Sequence, residues 1–149
     1  MTFQSHMAAA LAEARAAGAR GETPVGAVIA RGGEVLAADG NRVRELADPT
    51  AHAEMLVIRA AAARLGVERL AGCDLYVTLE PCPMCAGAIA HARLRRVYYG
   101  AEDPKGGGIA HGARVFDQPT CHHRPEVISG LAEADCAALL RQFFQSLRA

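Results

Sequence analysis

The chain predicts an α/β domain, on three observations. Short runs of Val, Ile, Leu and Tyr alternate with Ala- and Leu-rich stretches of helical length. Gly21, Gly32-Gly33 and Asp48-Pro49-Thr50 break the chain between such runs. The length, 149 residues, suits one domain over 1–149 that buries a core without disulfide staples.

Taken in order, Met7 to Arg20 is Ala-rich, carries Leu11 and meets a stop signal at Gly21, so it predicts a first helix. Pro24 to Ala30 alternates into a Val/Ile strand, Gly32-Gly33 turns the chain, and Glu34 to Asp39 returns as its partner. After the turn at Asp48-Pro49-Thr50, Thr50 is placed to cap a helix that carries His52, Glu54, Leu56 and Ile58 and runs to Leu65. Leu75 to Leu79 predicts a buried strand, Pro83 to Ala92 a helix, and Arg96 to Tyr99 a further strand. Gly100 to Arg124 is loop-rich around Gly106-Gly107-Gly108. That triplet lacks the lysine-serine ending of a phosphate loop and is expected to be a flexible loop near the active site. Glu126 to Ile128 is a short last strand. Ala132 to Leu147 closes the chain as an amphipathic helix, with Phe143 and Phe144 expected in the core beside Leu139 and Leu140.

Composition narrows the function classes. No stretch approaches the ~20 consecutive apolar residues of a membrane span, and no basic, then apolar leader opens the chain, so a cytoplasmic protein without a membrane partner is expected. Five cysteines, an odd number, suit a reduced compartment and metal ligation better than a disulfide framework. Cys73, Cys121 and Cys136 then read as spare or buried thiols. Formal net charge is zero, yet Arg93 to Arg124 holds six basic residues against three acids. Such a segment can steer a polyanion or be an ordinary solvated surface.

The chemistry lies in His52-Ala53-Glu54 and Pro81-Cys82-Pro83-Met84-Cys85. One imidazole and two thiolates fill three corners of a tetrahedral Zn²⁺ site and leave the fourth for water. Alone, Cys82-Pro83-Met84-Cys85 would also suit a thioredoxin-like redox pair; the upstream His-x-Glu favours metal. Both clusters fall at predicted helix starts, where exposed amides and partial positive charge stabilise thiolates. Zinc lowers the pKa of bound water from about 15.7 towards 7. A neighbouring carboxylate, Glu54, can then move the water's proton to a ring nitrogen and to a departing amine, which is the chemistry of zinc-dependent base deaminases.

Across nearly the whole chain the sequence resembles the cytidine-deaminase-like superfamily, and within it the bacterial tRNA-specific adenosine deaminases. The resemblance is carried by Pro24 to Val28, Gly40-Asn41-Arg42, Asp48 to Glu54, Tyr76 to Ile89, Tyr99 to Lys105 and the Cys-His-His-Arg segment from Cys121. It implies a three-layer α/β/α sandwich around a five-stranded mixed sheet, a homodimer, one Zn²⁺ per chain and conversion of adenosine to inosine at the wobble position of a tRNA anticodon stem-loop. By the same resemblance His52, Cys82 and Cys85 bind zinc and Glu54 shuttles protons. Asn41 meets the target base or its ribose, the Ala53 backbone orients the base, and Asp103 and Lys105 touch neighbouring nucleotides. Lys105 is the sole lysine. The alternatives are a deaminase of free nucleobases or nucleotides, of guanine, cytosine or deoxycytidylate type, and a catalytically silent zinc module. Glu54 argues against the second.

Overall fold

Strands β1 (Gly26–Arg31), β2 (Glu34–Gly40), β3 (Asp74–Leu79), β4 (Arg96–Ala101) and β5 (Glu126–Ile128) form one sheet in the order β2-β1-β3-β4-β5. β1 pairs antiparallel with β2 and β3, whereas β3, β4 and β5 run parallel, so the sheet is mixed. These assignments come from a computed structural model that describes residues 3–148. Every predicted strand and helix is present, with ends shifted by one or two residues.

Helices α1 (Met7–Ala19) and α4 (Glu133–Arg148) cover one face of the sheet; α2 (Ala53–Leu65) and α3 (Pro83–His91) cover the other. The period-two alternation of strand side chains sorts the core accordingly. Ile29, Leu75, Val77, Val97 and Tyr99 pack beneath Val57 of α2 and Ile89 of α3. Val28, Tyr76 and Tyr98 meet Met7 and Leu11 of α1 and Cys136 of α4. Because both faces are covered, β1, β3 and β4 read as nearly continuous apolar runs, while the edge strands β2 and β5 are more exposed. This is the expected three-layer α/β/α sandwich.

Gly26 and Gly40 face each other across the β1/β2 ladder. A Cβ on Gly26 would lie 2.0 Å from the Ala10 carbonyl oxygen, and one on Gly40 would lie 2.6 Å from that of Glu13. The pair lets α1 press directly on the sheet at the end where β3 finishes. Among the described residues no helix is long and apolar enough to cross a membrane.

Candidate metal centre and active-site pocket

The site forms where β3 ends and α2 and α3 begin. His52 and Cys82 are the N-cap residues of the two helices, both with extended backbone. Their carbonyls accept the first intrahelical bonds, from the amides of Leu56 and Ala86, and neither side chain makes a capping hydrogen bond, so both are available as ligands. Pro83 occupies the first turn of α3, where a missing N–H costs nothing. Cys85 follows one turn on and is fully buried.

The three side chains converge. The Cys82 and Cys85 sulfurs lie 3.6 and 3.5 Å from His52 Nδ1. Ligands at about 2.05 Å (nitrogen) and 2.3 Å (sulfur) on a tetrahedral Zn²⁺ stand about 3.5 Å apart, so the donor set fits the metal. No other group of three His, Cys, Asp or Glu side chains is so arranged among the described residues. The Cys82 thiol is pulled down to about 4, first by the hydrogen bond from the Cys85 thiol and then, against burial, by His52 and the Cys85 amide. The same bond, with burial, pushes Cys85 up, and the Cys82 bond raises His52. Metal binding takes the thiols as thiolates and the imidazole neutral, so it must expel the protons they hold.

Glu54 sits in the first turn of α2, only 4% exposed. Burial pushes its carboxyl up to about 6, against the opposing pull of its own amide and of His52. It lines one cavity of about 550 Å³ with His52 and Cys82, so the four motif residues share a site.

The other expected contacts divide. Asn41 lines the cavity and its Oδ1 accepts the Ala53 amide at 2.8 Å, which leaves the Nδ2 group for a ligand. Ala53 is fully buried with that amide committed, so it fixes Asn41 instead of facing the cavity. Asp103 stands in the wall, whereas Lys105 is exposed and outside the lining. Thr50 does not cap α2: its hydroxyl and amide both donate to Asp48 Oδ1, at 2.7 and 2.8 Å, and close the preceding turn.

Several cavity residues escaped the sequence reading. Phe143, Phe144 and Leu147 of α4 form part of the lining, and Phe144 and Leu147 are 45% and 65% exposed, so the expected core packing of the phenylalanine pair is corrected. Consecutive helical residues point about 100° apart, which was the available signal against burying both rings. Arg44 lines the cavity as an exposed cation. Glu22 is buried below it and accepts the Arg44 and Glu45 amides at 3.0 and 2.8 Å. Burial raises its pKa, but these bonds and the nearby Arg20 and Arg44 win, holding it below the usual value. Glu80, buried beside Cys82, is likewise lowered, the amides of the following loop and the His111 ring outweighing burial.

Fold and donor set together define a zinc-dependent hydrolytic deaminase. The family model of the cytidine and deoxycytidylate deaminase zinc-binding region matches residues 1–101, and the chain belongs to that family. It is 63% identical over 149 residues to the tRNA-specific adenosine deaminase of Agrobacterium fabrum, with 99% of this chain and 98% of that protein covered. A structure solved in work on A-to-I editing by tRNA:A34 deaminases at the wobble position of transfer RNA is also 63% identical. It superposes with a TM-score of 0.89 over 90% of this chain and 97% of that one. The guanine deaminase structure from Bacillus subtilis is more distant, at 34% identity and a TM-score of 0.67 over 99% of this chain and 94% of that one.

Proposed function

We propose that this chain deaminates adenosine to inosine at the wobble position of a tRNA anticodon, in the cytoplasm, as a homodimer. The observation that carries the reading is 63% identity over essentially the whole chain to a tRNA-specific adenosine deaminase. The cavity supports it. Its floor holds the reaction groups, and its rim carries Arg44, suited to a phosphate, and the Phe144 ring, suited to stacking a base.

His52, Cys82 and Cys85 hold the metal. Bound there, zinc would make hydroxide available at neutral pH by lowering the pKa of a water. Glu54 takes the proton of the attacking water and delivers it to N1 of the adenine as the oxygen joins C6. It then carries the second proton to the amino nitrogen; the C6–N6 bond breaks, and ammonia leaves with inosine remaining. Burial raises this carboxyl above its ordinary value, which favours a group that both takes up and releases a proton. Asn41 orients the base through Nδ2, and Asp103 contributes to the cavity wall.

The dimer would use α3, whose outer side presents exposed Met84 and His91 beside a cleft of about 330 Å³ lined by Gly87, Arg93, Gln118 and His122. A two-fold pairing there is the commonest closed assembly.

The guanine deaminase likeness favours a second reading, a free-base substrate. Zinc-loaded protein offered an anticodon stem-loop with adenosine at the wobble position, and separately guanine and cytidine, should form inosine in the RNA and leave the small molecules unchanged. Guanine turnover without inosine formation establishes the second reading instead.

A further inference from the structure

We propose that Glu80 is a positioning residue that builds one wall of the substrate cavity by folding the 103–111 loop around its carboxylate; this deepens the tRNA reading and rests on it. The Glu80 side chain is fully buried. Oε1 accepts the Asp103 amide at 3.1 Å and the His111 ring Nδ1–H at 2.8 Å. Oε2 accepts the amides of Ile109, Ala110 and His111 at 3.2, 3.0 and 3.2 Å. A carboxylate can only accept, so the His111 tautomer with hydrogen on Nδ1 is fixed by this contact.

The glycine triplet explains why the loop can wind so closely. A Cβ on Gly107 would come within 2.3 Å of Glu80 Oε2, and one on Gly108 within 2.5 Å of the Pro83 nitrogen. Gly107 and Gly108 are buried, and the Gly108 amide donates to the Pro81 carbonyl at 2.8 Å. The segment is therefore tied down, and the expectation of a flexible loop is corrected. Asp103 extends the anchoring outward: its Oδ1 accepts the amides of Lys105 and Gly106 at 3.2 and 2.9 Å. Asp103 and Gly106 are the loop's contribution to the cavity lining. One buried carboxylate, adjacent in sequence to Pro81-Cys82, thus couples the metal-bearing turn to one wall of the cavity.

In Glu80→Gln, an amide group replaces one oxygen and turns its own hydrogens on backbone donors. The loop should loosen while the zinc ligands stay in place. Hydrogen exchange at Ile109, Ala110 and His111 should accelerate, zinc should stay at one per chain, and KM for the stem-loop should rise about tenfold or more with a smaller change in kcat. His111→Ala removes a single donor and should move exchange and KM in the same direction by less. Unchanged exchange and KM in both variants overturn the proposal. So does loss of zinc and kcat in step with KM, which marks a merely structural role. If wild-type protein makes no inosine in the stem-loop, the tRNA reading fails, and the exchange rates alone then decide the anchoring.

Discussion

His52 Nδ1 stands 3.6 and 3.5 Å from the Cys82 and Cys85 sulfurs, and the two N-cap residues, His52 and Cys82, spend no side-chain hydrogen bond on capping. His-x-Glu and Cys-x-x-Cys were legible in the sequence because ligand chemistry dictates the residue types and helix starts dictate their spacing. Glu54 needs no ligand role, so its function follows from burial beside the set. Glu54→Ala should keep zinc at wild-type stoichiometry and lose roughly 10²–10⁴ in turnover. Metal analysis beside single-turnover kinetics checks this; a normal rate removes Glu54 from the proton path.

Elements were legible in kind and order because strand alternation and helix length are local signals. What shapes the cavity was not, because its contacts join residues far apart in sequence. Glu22 reaches 22 and 23 residues on to the Arg44 and Glu45 amides, and Glu80 reaches 31 residues on to His111. Thr50 looked like a cap by type alone, and only the Asp48 carboxylate beside it shows where its hydroxyl goes. The Glu22 contact has a pH signature. Its folded-state pKa lies below the ordinary value, so its contribution to stability is present above that value and is lost as pH falls through the lowered one. Glu22→Gln should therefore melt below wild type at pH 7, with the gap closing on acidification below about 4.5. Thermal melts across that range test it; a gap independent of pH assigns Glu22 a packing role only.

Across the whole molecule, the charge distribution read from the sequence needs redrawing. The basic segment from Arg93 to Arg124 is not one face. Arg95 is committed to Asp74 through two hydrogen bonds, of 3.0 and 2.8 Å, and Arg96 to Glu126. Both stand at the start of β4, the end of the parallel strands opposite the metal centre. The cation in the cavity lining is Arg44, which the charge count by segment overlooked. Arg44→Ala should weaken stem-loop binding and reduce the salt slope by about 0.7, the value for one phosphate contact on a single strand. Arg95→Ala should leave both unchanged. Titrations at several salt concentrations distinguish the two arginines, and equal effects would argue for diffuse attraction without a defined track.

A zinc-dependent deaminase of this fold that edits tRNA should select its adenosine through the RNA around it. Inosine formation should be measured on two anticodon stem-loops of identical composition, one with adenosine at the wobble position and one with that adenosine moved elsewhere in the loop. Product is expected from the first and none from the second. Equal rates on the two loops, or product from neither while a free base is consumed, would contradict it.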